Sequence, residues 1–165
     1  MLRPANGSKL LKPRVAAVLR LLGGFRARAM LDVGCGDGSV TVKVARAVGA
    51  EEVCCVEVSE RAAQIAASRG IKVFVGDVSR DPIPLGSESV DLAVALDVIE
   101  HLLNPDHMLR EVRRVLKPSG LLVVSTVNLG NWLNRLIFLL GYQPYYAEVS
   151  TEVLAGVPWR YKKPS

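Results

Sequence analysis

The residue types and spacings best suited to chemistry lie in a glycine-rich stretch at residues 31–40, which reads LDVGCGDGSV. Gly34, Gly36 and Gly38 occupy alternate positions, and a residue without a Cβ permits backbone conformations that other residues resist. A ligand can also lie close to such a main chain. An apolar strand before the glycines and a helix after them are typical of the turn that holds a nucleotide-like cofactor in an α/β sheet. These residues therefore predict a cofactor-binding turn.

Two acidic side chains follow later predicted strands. Glu57 comes after the apolar run at residues 53–56, and Asp77 follows Gly76 after residues 72–75. A carboxylate has two acceptor oxygens, which suit the two adjacent hydroxyls of a ribose, so we expect this contact from Glu57. Asp77 suits an adenine amino group, with backbone amides around Val78 completing the base edge. The alternatives are a solvated strand-end acid at position 57 and an ordinary Gly-Asp turn at position 77.

The elements that must position these residues alternate between strand and helix. Predicted strands cover residues 29–33, 53–56, 72–75, 90–96 and 121–126, and predicted helices cover residues 9–22, 39–48, 59–70 and 104–116. Glycines end the first three helices, Asn104-Pro105 has the pattern of an N-cap with a first helical residue, and residues 118–120 form a turn into the last strand. This alternation predicts right-handed crossovers and an α/β fold, a doubly wound and mostly parallel sheet with helices on both faces.

Residues 29–128 resemble the class I S-adenosylmethionine-dependent methyltransferases, in particular the ubiquinone-biosynthesis type. Residues 32–38 are similar to the acidic, glycine-rich first motif of that family, residues 96–102 to its fourth-strand motif, and residues 114–121 to the helix-turn-strand that follows. Glu57 and Asp77 stand where the family has its ribose-binding and adenine-binding acids. The resemblance implies a Rossmann-like fold, S-adenosylmethionine as cofactor, and a cofactor site made of Asp32, Gly34, Cys35, Gly36, Gly38, Glu57, Val58, Gly76, Asp77, Val78, Leu96 and Asp97.

The glycine spacing separates this cofactor from a dinucleotide. A dinucleotide fingerprint has Gly-x-Gly-x-x-Gly, whereas here the third glycine, Gly38, comes one residue early. S-adenosylmethionine has no phosphate and carries a positive sulfonium, so Asp32 is expected to serve its ammonium directly or through water, and helix-end amides suit its carboxylate. An oxidoreductase that binds a nicotinamide dinucleotide is the more distant alternative.

Methyl transfer needs no nucleophile from the protein, because the acceptor attacks the methyl group in line and the protein holds the two reactants together. A base is needed only if the acceptor must lose a proton. His101 follows the fourth predicted strand, and histidine ordinarily titrates near neutrality, so His101 is the candidate general base. The alternative is a histidine that caps the following loop or binds a backbone group. His107 is expected to be a surface residue of the next helix.

Composition bounds the class of protein. The chain has 165 residues, half of them apolar, which predicts one domain with three parts: a basic N-terminal helix within residues 1–28, a cofactor-binding core at residues 29–128 and a C-terminal cap at residues 129–165. The sequence contains no apolar run of roughly 20 residues and no leader with a cleavage site, so we expect no membrane span and a cytoplasmic location.

The three cysteines and two histidines lack metal-ligand spacing, so no metal is expected. Cys35, Cys54 and Cys55 are interpreted as small buried hydrophobes, the last two on a strand.

The net charge of +5 is concentrated at the two ends of the chain. Residues 1–31 contain seven Lys or Arg and no acid, and residues 160–163 add three more, whereas residues 32–148 contain eleven basic and fifteen acidic residues. Basic ends leave a nucleic acid or an anionic membrane surface open as a partner. No aromatic interleaving or nucleic-acid motif accompanies the charges, which favours solvated ends and a small-molecule acceptor.

The C-terminal third departs from the family pattern. Complete class I folds add a sixth and a seventh strand, whereas residues 131–140 here predict one apolar helix and the last 25 residues show no clear paired strands. Residues 127–132 and 139–144 also resemble a methyltransferase-like subgroup related to the methionine-biosynthesis protein MetW. Seven of the nine aromatic residues lie from Trp132 onward, where they either line an acceptor pocket or lid or pack on missing residues or a partner chain. We expect the chain to stop within the domain.

These features predict a class I methyltransferase that acts on a small acceptor. Strand ends fix the cofactor in such folds, while loops and the C-terminal cap select the acceptor. The alternative from a different class is a catalytically silent regulatory or partner-binding subunit, which the short C-terminus favours.

Overall fold

The computed structural model describes residues 13–126 together with residues 128, 135 and 139. Within this part of the chain, helices and strands alternate as the sequence predicts. In chain order the elements are α1 (Pro13–Leu21), β1 (Ala29–Val33), α2 (Ser39–Val48), β2 (Glu52–Glu57), α3 (Glu60–Ser68), β3 (Lys72–Val75), β4 (Val90–Leu96), a short 3-10 turn (Ile99–His101), α4 (Pro105–Val115) and β5 (Leu116–Ser125).

The five strands form one sheet in the order β3-β2-β1-β4-β5, and every neighbouring pair is parallel. The chain runs outward from β1 to β3 on one side and then returns to place β4 on the other side of β1. The strand order therefore reverses between β1 and β4, and ligands of open α/β sheets bind in the crevice outside the carboxyl ends of the strands at such a point. The predicted doubly wound parallel fold is confirmed.

Local capping signals explain where the helices begin and end. The Ser59 side chain accepts a hydrogen bond from the Ala62 amide at the start of α3, and the Asn104 side chain accepts one from the His107 amide at the start of α4. Gly49 ends α2 in the left-handed conformation that favours glycine. These short-range contacts are the reason that the predicted boundaries agree closely with the observed ones.

The sheet is covered on both faces. Alternate residues of β1 point to opposite sides, so Met30 joins the apolar cluster beneath α1 and α2, whereas Leu31 joins the cluster beneath α4. All five residues of β1 are buried. A central strand buried on both faces holds the turn that follows it on a rigid base.

The start of β5 differs from the predicted turn at residues 118–120. Leu116 already pairs with Val90, and pairing resumes at Leu121 with Leu92, so the residues between them bulge away from β4. The Lys117 Nζ lies 2.6 Å from the Asp91 Oδ1 and holds the chain beside β4 before the bulge. This contact spans two elements, which is why local turn residues did not reveal it.

Other predictions fall outside the described residues. Residues 9–12 of the first predicted helix and nearly all of the predicted C-terminal cap, including its aromatic cluster, lie there. Arg135 and Leu139 are described and are both helical, in agreement with the helix predicted at residues 131–140. No helix among the described residues is long and apolar enough to cross a membrane.

Candidate functional site

The glycine turn at the carboxyl end of β1 has the backbone that its sequence demands. Gly34 and Gly38 have φ angles of 72° and 73°, in the left-handed region that residues with a side chain rarely adopt. A Cβ on Gly34 would lie 2.5 Å from a methyl carbon of Val98, and a Cβ on Gly38 would lie 2.6 Å from the terminal carbon of Ile71. Both positions therefore require glycine for its conformation and for its small size.

Arg69, the residue that caps α3, holds the turn from outside. Its Nε donates to the Asp37 carbonyl at 2.7 Å, and its Nη2 donates to the Asp37 carboxylate at 3.0 Å. A guanidinium that makes two contacts to one residue restrains both the main chain and the side chain there. The turn is thus fixed between β1 and α3.

Glu57 lies at the carboxyl end of β2, beside the turn. Its side chain is 8 % exposed, which does not fit a solvated strand-end acid. The Oε2 accepts a hydrogen bond from the Gly36 amide at 2.8 Å, and the Oε1 accepts one from the Ser59 amide at 2.9 Å. Each oxygen accepts one backbone bond and keeps capacity for a second donor. The carboxylate is therefore fixed in place and still able to bind hydroxyl groups.

A cavity of about 420 Å³ opens at this edge of the sheet. It brings together eight of the predicted site residues, namely Gly34, Glu57, Val58, Gly76, Asp77, Val78, Asp97 and His101. Val98, Leu102 and Leu103 add apolar lining. The other predicted residues, Asp32, Cys35, Gly36, Gly38 and Leu96, do not line it. A larger groove of about 860 Å³ lies between α4 and the start of β5, and none of the predicted site residues lines that groove.

Asp32 lies behind the turn, at 4 % exposure, and its Oδ2 accepts a hydrogen bond of 2.6 Å from the Thr41 hydroxyl. Burial raises the pKa of Asp32 to about 7; the Thr41 hydrogen bond opposes this rise, and the nearby Glu57 charge adds to it. Asp32 was predicted to contact the cofactor ammonium either directly or through water. Its carboxyl does not line the cavity, so its position favours the contact through water.

Asp77 lines the cavity, and it also makes the contacts expected of an ordinary Gly-Asp turn, which was the alternative interpretation of this residue. Its Oδ1 accepts a hydrogen bond from the Ser79 amide at 2.9 Å, and its Oδ2 lies 3.4 Å from the Nε of Arg80. Its own amide donates to the carboxylate of Asp81 at 2.8 Å. The same side chain therefore shapes the turn and lines the cavity.

Asp97, directly after β4, has a φ of 56°, a conformation that Asp tolerates better than most residues. Its amide donates to the Ser125 carbonyl at 2.9 Å, and the Ser125 hydroxyl donates to its Oδ1 at 3.0 Å. The Arg14 guanidinium of α1 forms an ion pair with the Oδ2. The sequence does not reveal this pair, which brings α1 to the carboxyl edge of the sheet.

The two histidines occupy different positions. His101 is exposed at the end of the 3-10 turn and lines the cavity, as a candidate base must. His107 was expected at the surface, and this expectation is wrong, because its side chain is half-buried where α4 packs beside the chain after β3. Its Nδ1 lies 3.1 Å from the Val78 carbonyl. His107 thus contacts the main chain of a residue that lines the cavity.

Two of the cysteines are bonded to each other, which the sequence interpretation did not foresee. A disulfide joins Cys35 in the glycine turn to Cys55 in β2, with their Cα atoms 6.0 Å apart, while Cys54 is free. The parallel register pairs Asp32 with Cys55 and so places the turn beside β2.

Comparisons with known proteins agree with this geometry. Residues 31–124, more than half of the chain, match the family model described as a methyltransferase domain. This chain belongs to the methyltransferase domain family. Most of the site described above, from the glycine turn to β5, lies within the matched residues.

Relatives of this methyltransferase domain are longer proteins. A Mycobacterium tuberculosis protein named "Probable S-adenosylmethionine-dependent methyltransferase" is 39% identical over 109 residues, which cover 66% of this chain and 39% of the relative. The ubiquinone biosynthesis O-methyltransferase of Caulobacter vibrioides is 31% identical over 109 residues, 63% of this chain and 42% of the relative. The chain thus spans about two fifths of the length of the curated relatives that it matches.

Solved structures share the architecture of the domain. A Thermotoga maritima S-adenosylmethionine-dependent methyltransferase, described as a "possible histamine N-methyltransferase", is similar with a TM-score of 0.59 and 31% identity, over 77% of this chain and 56% of that one. A Haloferax volcanii methyltransferase in complex with the Trm112 activator gives a TM-score of 0.60 over 68% of this chain and 51% of that one. Its identity of 22% shows a common fold alone.

Proposed function

We propose that this chain is the cofactor-binding part of an S-adenosylmethionine-dependent methyltransferase, which moves a methyl group to a nucleophilic atom of a small acceptor. The observation that carries the proposal is the Glu57 carboxylate, buried in the cavity wall and bonded to the Gly36 amide at 2.8 Å, in a chain of the methyltransferase domain family. A fixed acceptor of this kind beside a glycine turn suits the ribose of a nucleoside cofactor.

The charge of the cavity supports a cofactor that is a cation without phosphates. Among the described residues that line it there is no Lys or Arg, whereas Glu57, Asp77 and Asp97 contribute three carboxyl groups. Arg14 pairs with Asp97 and Arg80 with Asp77, whereas the Glu57 carboxylate is bonded to two backbone amides. The Glu57 charge repels a pyrophosphate and attracts a sulfonium or an ammonium. This lining favours S-adenosylmethionine over a nicotinamide dinucleotide.

The size and the lining of the cavity also suit such a cofactor. The volume of about 420 Å³ lies in the range of small-molecule sites, about 300–1,000 Å³. Val58 and Val98 line the cavity and are proposed to offer apolar surface to a base, and Asp77 with the Val78 amide is proposed to bind its polar edge. Asp32, which does not line the cavity, is proposed to serve the ammonium through water.

The chemistry supplied by the bound cofactor is a methyl group activated on a positively charged sulfur. The protein's contribution is to hold the acceptor in line with that methyl group, and such positioning supplies roughly 7–11 kcal/mol in favourable cases. His101 faces the cavity and is proposed to take a proton from an acceptor that must lose one. If the acceptor loses no proton, no base is needed and His101 takes no part in the transfer.

The acceptor is proposed to be a small molecule, bound at the cavity mouth. Val58 and Leu103 are large apolar residues that lie exposed at this mouth, at 68 % and 58 %. We further propose that residues 1–165 form one domain and that the protein is cytoplasmic. The ubiquinone-biosynthesis relatives support an O-methyl acceptor, and the Thermotoga maritima structure supports an N-methyl acceptor.

Transfer of a labelled methyl group separates an enzyme from a silent subunit. The purified chain is incubated with methyl-labelled S-adenosylmethionine and the small-molecule fraction of a cell extract, and a heat-inactivated sample is the control. We expect label in low-mass products only with the active chain. Tight cofactor binding without any transfer would favour the regulatory subunit instead.

A further inference from the structure

We propose that Cys35 and Cys55 are a reversible redox-modification site, whose oxidation orders the glycine turn for cofactor binding. The expected effect on cofactor binding rests on the proposed function, whereas the formation of the disulfide does not. The two Cα atoms lie 6.0 Å apart, within the range of about 4.4–6.8 Å that disulfides require. The closed segment contains the glycine turn, α2 and the start of β2, because the cysteines are 20 residues apart in sequence.

The bond links the same two segments that the cofactor site depends on. Cys35 lies between Gly34 and Gly36, and Cys55 lies two residues before Glu57. The Gly36 amide and the Glu57 carboxylate form one link between the turn and β2, and the disulfide forms a second. The disulfide therefore acts on the position of the turn relative to Glu57.

The second link lies on the core side of the turn and not in the cavity. Cys35 is 8 % exposed, Cys55 is fully buried, and both belong to the apolar cluster beneath α1 and α2. Neither lines the cavity. The bond can therefore restrain the turn without taking space that a ligand needs.

The strand geometry selects this pair among the three cysteines. Neighbouring residues of β2 point to opposite faces of the sheet, so Cys54 packs against the cluster beneath α4 while Cys55 faces Cys35. Partial burial also raises the pKa of the Cys54 thiol, which lowers its share of reactive thiolate near neutral pH. Cys54 is thus a built-in control for the pair.

Reduction has a defined structural consequence. Two separate sulfur atoms need more space than two bonded ones, and the surroundings of fully buried Cys55 are close-packed core. The turn, which carries Cys35, the less buried of the two cysteines, is the part that can move. Movement of Cys35 shifts Gly36 away from Glu57 and leaves the turn less ordered, so the cofactor must order it on binding.

Hydrogen peroxide is a small oxidant, and Cys35, at 8 % exposure, is more accessible to it than fully buried Cys55. The Cys35 thiolate attacks one peroxide oxygen, which breaks the O–O bond, forms a sulfenic acid and releases the other oxygen as water after it takes a proton. The Cys55 thiolate then attacks the Cys35 sulfur and displaces hydroxide, which becomes the second water. Two thiols lose two electrons to one peroxide, and a small dithiol returns them by exchange.

The test compares the full chain after peroxide treatment with the same chain after dithiothreitol treatment, with both reagents removed. We expect one free thiol in the oxidised form, three in the reduced form, and a peptide that joins residues 35 and 55. The oxidised form should melt higher by on the order of 5–10 °C, because the bond closes a loop in the unfolded chain. It should bind S-adenosylhomocysteine roughly fivefold more tightly or better, because its turn is ordered in advance.

Two variants make the result decisive. Cys54→Ser should keep both the redox-dependent melting shift and the affinity difference, whereas Cys55→Ser should lose both and bind equally under either treatment. Three free thiols after peroxide, a link that includes Cys54, or equal affinities of the two forms of the parent chain would overturn the proposal. If neither form bound the ligand, the proposed function and the effect on binding would both fail. The thiol count and the melting shift would then still decide whether the bond forms.

Discussion

Asp32 illustrates how position changes the chemistry of a residue that the sequence singled out. Its type and its place before the glycines predicted a cofactor contact, and the structure places it one layer behind the cavity, bonded to Thr41. The sequence contains both residues but not their contact, since they meet only after the turn reverses the chain. Burial then raises the pKa of Asp32 to about 7, whereas an exposed aspartate titrates near 3.8.

This raised pKa predicts a pH dependence of stability. The unfolded chain loses the Asp32 proton near pH 4 and the folded chain near pH 7, so the folded form is penalised increasingly between these values and fully above them. Asp32→Asn keeps an oxygen that can accept the Thr41 hydrogen bond but carries no charge. In urea unfolding at pH 8, we expect the variant to be more stable than the parent by on the order of 2–4 kcal/mol, with the gain shrinking toward pH 4. Parallel stability profiles for the two chains would contradict the assigned pKa.

Gly34 gives a prediction that separates crowding from backbone strain. Gly34 and Gly36 both have left-handed backbones, with φ angles of 72° and 54°. A Cβ on Gly34 would lie 2.5 Å from a Val98 methyl carbon, whereas a Cβ on Gly36 meets no atom within 4 Å. We expect Gly34→Ala to lower the free energy of unfolding by on the order of 2–4 kcal/mol and Gly36→Ala to cost about 1 kcal/mol. Thermal and urea unfolding of the two variants measure the difference. Equal losses would mean that the contact with Val98 does not constrain the turn.

At the scale of elements, local sequence patterns were sufficient for most boundaries. Capping residues and glycines act over a few positions, so Ser59, Asn104 and Gly49 marked helix ends correctly. The bulge before Leu121 and the pairing of α1 with the sheet edge could not be predicted in this way. They depend on Lys117 with Asp91 and on Arg14 with Asp97, pairs that meet only in the folded chain.

The contact of α1 with the sheet edge predicts how that helix is held. Arg14 and Asp97 form a partly exposed ion pair, so its contribution to stability is small, about 1 kcal/mol or less. Arg14→Ala should therefore leave the melting temperature almost unchanged but speed amide exchange in α1 by a few-fold. Hydrogen exchange read by mass spectrometry tests this, with Arg20→Ala on the same helix as the matched control. Unchanged exchange in α1 after Arg14→Ala would show that the ion pair does not hold the helix.

At the scale of the whole molecule, the site follows from the order of the strands. The reversal between β1 and β4 opens the crevice into which Gly34, Glu57 and Asp97 converge from three different strand ends. The alternation of strands and helices predicted a doubly wound, mostly parallel sheet, but not the order of its strands. The same pattern did not predict that Arg114 of α4 would bind the Ile83 and Leu85 carbonyls, at 2.7 and 2.8 Å, and so fix the connection before β4.

Calorimetric titration with S-adenosylmethionine tests whether this chain binds that cofactor through Glu57. The parent chain is compared with Glu57→Gln and with Glu60→Gln, an exposed acid three residues away that serves as the control. The amide in Glu57→Gln has one acceptor oxygen instead of two, and its NH₂ faces a backbone donor. We therefore expect affinity to fall by about 1–3 kcal/mol, a factor of roughly 5 to 150, while Glu60→Gln binds as the parent does. No heat of binding from the folded parent chain, or equal affinity in Glu57→Gln, would contradict the account.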